Sequence, residues 1–264
     1  MDIADPDVAN RPGTCGIAIM AKASAPGRTK TRLVPPLSAE QAAAINTAFL
    51  QDMAANLVTA GSHAAIVGYA AFAPAGSEDF FRRILPPTIG LIDACLSNLG
   101  ECLLHTIKEI FARGHTAAVV LNSDSPTLPT ELLVETAKAL ALPGERAVLG
   151  PSDDGGYYLL GLKTPHRRLF DDISWSTERV AAQTLERARE LGLEMRVLPA
   201  WYDIDDIEGI RRLHLELTTM PEESKLARQT PYYPAATATL MRSLPVGKLA
   251  SSSETDPQIS IASA

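Results

Sequence analysis

The feature that most constrains this chain is a rhythm. Short apolar runs alternate with segments of helical period. Runs at residues 14–20, 64–70, 117–121 and 146–149 are short, apolar and read as buried strands. Residues 157–162 and 194–198 read as two more. Between them lie helical patterns. Ser38 offers an N-cap with Gln41 three residues on, and Ala42, Ile45, Phe49, Met53 and Leu57 follow at helical spacing. Further helices are expected over residues 99–111, 130–140, 177–191 and 206–217. Strands alternating with helices predict an α/β chain: a three-layer α/β/α, Rossmann-like architecture with a mostly parallel sheet. Such sheets bind ligands beyond the carboxyl ends of their strands. Functional residues are therefore expected just after the apolar runs.

The rhythm occupies residues 14–221, which predicts one domain. Residues 1–13 read as a flexible arm. Residues 222–264 are rich in Ser, Ala, Thr and Pro and read as a disordered or loosely attached tail. The 264 residues carry a net charge of −7, which argues against general affinity for nucleic acid or an anionic membrane. No apolar run approaches the roughly 20 residues that span a bilayer. The start, M-D-I-A-D-P-D, lacks the order of a signal peptide. Cys15, Cys95 and Cys102 show neither C-x-x-C nor zinc spacing. A reduced, cytoplasmic protein is the simplest expectation.

Four segments sit where ligands are expected. The first is A-K-A-S-A-P-G-R-T-K-T-R-L, residues 21–33. It places Lys22, Arg28, Lys30 and Arg32 between the first strand and the first helix of an acidic chain. That is where a phosphate tail lies in an α/β sheet. Gly27 lets the backbone bend toward a ligand, and the cations can neutralise phosphate oxygens. The spacing is not that of a Walker loop. The alternative is a solvated basic loop. The second segment is L-N-S-D-S-P-T-L-P, residues 121–129. Its Asp124 can hold a hard divalent cation, or make a local turn bond.

The third segment is G-P-S-D-D-G-G-Y-Y-L-L-G-L, residues 150–162. Gly155 and Gly156 would admit a sugar or acceptor close to the backbone. Asp153 or Asp154 could bind an acceptor hydroxyl or act as base. Asp-Gly is equally a hairpin turn signal. The fourth is W-Y-D-I-D-D-I-E-G-I, residues 201–210. Asp203 or Asp205 could be a second metal ligand, although Asp205 with Glu208 is also a good helix start. Trp175, ahead of a helix, could stack on a ligand or pack. The five histidines are scattered, and no G-x-S-x-G supports a serine hydrolase.

Together and in this order, the four segments, with W-S-T-E at residues 175–178, resemble the nucleotide-diphospho-sugar transferases of the glycosyltransferase-A fold. More narrowly they resemble a bacterial glycosyltransferase-like family, some members of which are linked to arsenosugar biosynthesis. The first segment is also similar to the opening loop of sugar-phosphate and molybdopterin nucleotidyltransferases and of phospholactate guanylyltransferases. The resemblance implies that Gly27, Arg28, Lys30 and Arg32 hold phosphates. It makes Asp124 the metal-binding acid, with Asp203 or Asp205 as second ligand. The family pattern around S-N-L-G-E-C-L carries an Asp before L-G-E and an Arg after it; this chain has Asn98 and Cys102.

The expectation is thus a transferase that uses Mg²⁺ or Mn²⁺, a nucleotide or nucleotide-sugar, and a small-molecule acceptor. The candidate catalytic residues are Asp153, Asp154 and Lys30. The nucleotide would lie on Lys22, Gly27, Arg28, Lys30 and Arg32, with Gly155, Gly156 and Trp175 toward the acceptor. Two reactions fit: nucleotidyl transfer from a nucleoside triphosphate to a phosphorylated acceptor, and glycosyl transfer from a nucleotide-sugar. The alternative from another class is a regulatory nucleotide-binding module without turnover.

Overall fold

The computed structural model describes residues 11–94, 98–219 and 230–244. The arm before residue 11, Cys95, and most of the segment after residue 219 lie outside them. The strands are β1 (Cys15–Lys22), β2 (Ile66–Ala73), β3 (Gly90–Asp93), β4 (Ala117–Leu121), β5 (Ala147–Pro151), β6 (Tyr157–Leu162) and β7 (Met195–Val197). The helices are α1 (Ala39–Gly61), α2 (Glu78–Ile84), α3 (Leu99–Ala112), α4 (Thr130–Ala141), α5 (Val180–Glu190), α6 (Ile207–Thr219) and α7 (Ala235–Ser243). One sheet runs in the order β3-β2-β1-β4-β6-β5-β7.

Alternation along β1 explains the layering. Ile17, Ile19 and Ala21 pack with Leu50, Met53 and Leu57 of α1. Ala18, on the other face, packs with Ile107 and Ile110 of α3. A strand covered on both faces has no polar face, which is why it read as a continuous apolar run. The capping box expected at α1 is present. Gln41 N–H donates to Ser38 Oγ at 3.2 Å, and Ser38 N–H donates to Gln41 Oε1 at 2.8 Å.

All pairings are parallel except those of β6, which runs antiparallel to both β4 and β5. The link from β5 to β6 spans only residues 152–156. A parallel crossover needs a dozen residues or more, so this link must be a hairpin. The reversal brings the start of β6 to the same edge as the ends of β1, β4 and β5. All four motif segments therefore meet at the carboxyl edge. The sheet grows outward from β1 through β2 to β3, and from β4 in the other direction. The β1/β4 junction is the topological switch point, where such sheets open a crevice.

A third apolar cluster lies beneath that edge. It joins Leu33 and Leu37 from the opening segment with Ile45 and Phe49 of α1, Tyr202 and Ile204, Ile210 and Leu213 of α6, and Met241 of α7. Helix α7 differs from the loose tail expected for residues 222–264. Its Thr237, Ala238 and Met241 are buried. Its first amides are held by the buried Asp52 of α1, with Ala236 N–H to Oδ1 at 2.9 Å and Thr237 N–H to Oδ2 at 2.8 Å. The stretch had no sustained period, and its capping partner lies more than 180 residues away in sequence.

Candidate functional site

The opening loop is built to be rigid below and charged above. Pro26 and Gly27 occupy the middle of a tight turn closed by Arg28 N–H donating to Ala25 O at 3.0 Å. Gly27 has φ +71°, the left-handed value that this Pro-Gly turn demands at its third residue. Underneath, the buried Asn46 of α1 donates to Lys22 O at 3.0 Å and to Ser24 Oγ at 2.9 Å. Thr47 donates to Ser24 Oγ at 2.7 Å. No motif in the sequence points to Asn46 or Thr47. The available signal was a polar Asn directly after Ile45 on the stripe that turns out to face the core.

The four cations have different fates. Arg28 is exposed and its guanidinium has no ion-pair partner among the described residues. Lys22 donates to Arg28 O at 2.9 Å and is otherwise exposed. Arg32 is 77% exposed and reaches Asp205 only at 3.7 Å. Lys30 is sequestered. Its side chain is 5% exposed, and its ammonium lies 2.9 Å from Asp124 Oδ1 and 3.0 Å from Asp205 Oδ1. It also donates to Ile204 O at 2.5 Å and stands over the Phe49 ring at 5.4 Å. Its backbone is left-handed, with φ 50°. Burial alone would lower the Lys30 pKa, but the Asp124 and Asp205 carboxylates outweigh it and the pKa is raised.

Asp124 and Asp205 thereby meet on one ammonium. Ile204 N–H donates to Asp124 O at 2.8 Å, and Ser125 Oγ donates to Tyr202 O at 2.8 Å, which stitches the second segment to the fourth. Asp203 stands apart from this ion pair. Burial first, then the negative charges of Asp154 and Asp205, push its carboxyl up to about 6. Among the described residues, no group of three His, Cys, Asp or Glu side chains forms a ready metal cage.

The third segment divides its two acids. Asp153 faces outward, with Arg212 at 3.5 Å. Asp154 lines the site and accepts from Gly156 N–H at 2.9 Å. Gly155 meets a demand of the protein's own packing. A Cβ there, at φ +88°, would come within 2.1 Å of Glu178 O. Gly156 does line the cavity. Trp175 both packs and lines it. Its indole lies against Gly100, where a Cβ would sit 2.9 Å from Nε1. Asn98 is the N-cap of α3, accepting from Glu101 N–H at 2.9 Å. An Asp there would cap equally well, so the departure leaves this helix start intact.

Two adjoining cavities result. One, of about 310 Å³, is lined by the opening loop with Asn46, Ser123, Asp124 and Asp205. The other, of about 420 Å³, is walled by Leu99, Leu103, Trp175 and Tyr157, with Asp154, Thr177 and Glu178. Met20, Arg32 and Asp205 belong to both. A larger groove of about 710 Å³ lies elsewhere, between Thr59, Glu135 and Arg196. It contains none of the motif residues.

Comparison with known proteins agrees with this geometry. Residues 53–177 match the model of a family described as an uncharacterized protein conserved in bacteria (DUF2064). That span holds the second segment, the third, and W-S-T. A crystal structure from Desulfovibrio desulfuricans G20, described provisionally as a nucleotide-diphospho-sugar transferase, is similar over 87% of this chain and 94% of its own, with 28% identity and a TM-score of 0.73. Two more distant structures share the fold. A cytidylyltransferase from Leptospira borgpetersenii serovar Hardjo-bovis (strain JB197) has 12% identity and a TM-score of 0.51, covering 87% of this chain and 94% of its own. A CMP:2-keto-3-deoxy-manno-octonic acid synthetase complexed with CTP has 11% identity and a TM-score of 0.50, covering 78% and 98%. No curated protein sequence gives a significant match. The fold is the α/β fold of nucleotide-diphospho-sugar transferases.

Proposed function

We propose that this protein is a nucleotide-using transferase that moves a glycosyl group from a nucleotide-sugar to a hydroxyl-bearing acceptor. The observation that carries the reading is the pair of adjoining cavities with unlike charge. The first presents Lys22, Arg28 and Arg32 to a phosphate chain at the switch point of the sheet. The second has an apolar wall and carboxylates, with the shared Arg32 as its cation. A phosphorylated acceptor would meet Asp154 and Glu178 there, so the second cavity suits a neutral acceptor better. That favours glycosyl over nucleotidyl transfer. The kinship with the Desulfovibrio protein supports the same class.

The donor set also fits a hard divalent cation. Asp124 and Asp205 offer carboxylate oxygens at the mouth of the phosphate cavity, with Asp203 near by. Mg²⁺ is commonly held by one or two carboxylates completed by substrate phosphates, which explains why a closed protein cage is not needed. When bound, Mg²⁺ or Mn²⁺ would neutralise charge growing on the departing diphosphate. The chain's own residues do the rest. Arg28 and Arg32 hold the diphosphate, and the Trp175 wall orients the acceptor. Asp154, which lines the second cavity, would take the acceptor's proton as the acceptor oxygen bonds the sugar carbon and the sugar–phosphate bond breaks. In a retaining reaction Asp154 would only bind the hydroxyl.

A product assay tests this. Nucleotide-sugars with polyol acceptors are expected to release nucleoside diphosphate. Release of pyrophosphate from a nucleoside triphosphate and a sugar phosphate would replace glycosyl by nucleotidyl transfer.

A further inference from the structure

A buried ammonium stands between the two carboxylates that the proposed reaction assigns to a divalent cation. Its place is well fixed. Four groups hold it: Asp124, Asp205, the Ile204 carbonyl and the face of Phe49. The residue that carries it is itself in the left-handed backbone region, which costs a non-glycine residue about 1 kcal/mol or more and is kept only when surroundings enforce it. The other three cations of the same loop point to solvent or hold only long or backbone contacts. One ammonium offsets only one of the pair's two negative charges, but it occupies the oxygens a metal would need, so ammonium and metal weaken each other's hold on the pair.

We propose that Lys30 is an internal counter-ion that competes with the divalent cation for Asp124 and Asp205, and that nucleotide phosphates release it. With no nucleotide, the ammonium offsets one of the pair's two negative charges and occupies their oxygens, and metal binds weakly. A diphosphate in the adjoining cavity offers Lys30 a second set of acceptor oxygens across the cavity floor that it already lines. Once Lys30 turns to the phosphates, the carboxylates are free for the metal. Nucleotide and metal then bind with positive coupling. By linkage each raises the affinity of the other by the same factor. The site would load its metal together with the donor and hold little of it when empty. This rests on the proposed metal-dependent reading of the site.

Lys30→Met tests the idea directly. It keeps the aliphatic stem over Phe49 and removes the charge. Asp124 and Asp205 remain 29% and 42% exposed, so water can solvate them and the fold should survive. Mn²⁺ affinity would be measured by electron paramagnetic resonance, with and without UDP, GDP, ADP or CDP. Without nucleotide, K30M should bind Mn²⁺ at least about 10-fold more tightly than the parent. The parent should gain affinity when the preferred diphosphate is added, and K30M should gain much less. Equal or weaker Mn²⁺ binding by nucleotide-free K30M, in a parent that does bind Mn²⁺ with a diphosphate, would overturn the counter-ion and leave the transferase reading standing. No Mn²⁺ binding in any arm would overturn both. If K30M does not fold, Lys30→Arg supplies the opposite sign: a guanidinium grips carboxylates more firmly, so nucleotide-free Mn²⁺ affinity should fall. An unchanged or higher affinity in K30R would refute the proposal.

Discussion

The two edges of the sheet are built to opposite rules. At the amino edge, around the start of β1, polar groups are paired and sealed. His115 is buried; its Nδ1 meets Thr14 Oγ1 at 2.7 Å and its Nε2 meets Tyr69 Oη at 2.7 Å. Gly16 lies so close to α3 that a Cβ would fall 2.3 Å from Ile110 Cγ2. At the carboxyl edge, Arg28 and Arg32 stand in solvent, carboxylates face cavities, and the buried side chain of Lys30 is held among acids. Burial first, then the charges of Asp154 and Asp205, raise the Asp203 carboxyl there to about 6, and shifts of this kind cluster at functional sites. The difference teaches where the proposed function would lie. One edge pairs its polar groups internally; the other leaves charged groups facing cavities.

Substitutions at the two edges should therefore separate activity from stability. The largest effect is expected at Asp124. Asp124→Asn should lower turnover by about 10²–10³-fold, as loss of one strong electrostatic group in a site typically does. Thermal unfolding should move by only a few degrees, because Lys30 keeps Asp205. Near-normal turnover in this variant would remove Asp124 from the site. Next comes the opposite edge. Gly16→Ala should cost about 1–3 kcal/mol through overpacking against Ile110 and His115. Its nucleotide affinity at a temperature where it is folded should match the parent's. A selective loss of binding would blur the division between edges.

The sequence anticipated this division unevenly. The buried strands were legible because β1 and β4 are covered on both faces and so lack polar residues. The four segments were legible because loops at strand ends carry Gly, Pro and charge. The short elements were not. β3 has four residues and α2 seven, too few for a period to declare itself. Within the site, residue type suggested which acids and bases gather, but not how they divide the work. Asp153 and Asp154 are adjacent in sequence and point to different neighbours, Arg212 and the cavity. The sequence marks Lys30 as a phosphate-binding and candidate catalytic cation, but not as the one of the four whose side chain is buried. Only packing against Phe49 and the late arrival of Asp205, 175 residues on, set it apart. Asn46 and α7 depend likewise on partners distant in sequence.

Two smaller effects sharpen the contrast. Arg28→Ala should weaken nucleoside diphosphate binding about 10-fold, close to 1.4 kcal/mol, with no measurable change in unfolding temperature. Equal affinities in calorimetric titrations would return the opening loop to a solvated basic loop. The smallest effect is a pH dependence at the amino edge. Burial, helped by Arg11 and Arg113, lowers the His115 pKa to about 4 from its ordinary 6.5. Between those values the unfolded chain binds a proton that the folded chain refuses. Stability from this group is complete above pH 6.5 and is lost as pH falls toward 4. Denaturant titrations across that window should show a steeper decline for the parent than for His115→Gln. Identical slopes would show that His115 does not titrate in this way.

The central claim is that the carboxyl edge receives the phosphates of a nucleotide. Its most direct test is a thermal-shift panel on the parent protein, comparing nucleoside diphosphates, nucleotide-sugars and nucleoside triphosphates, each with and without Mn²⁺. A ligand at about 100 times its dissociation constant stabilises the fold by roughly 2.7 kcal/mol, a shift easily seen. The account predicts a metal-dependent rise with a nucleotide-sugar and its diphosphate, abolished in Asp124→Asn. No rise with any nucleotide, with or without metal, would contradict it.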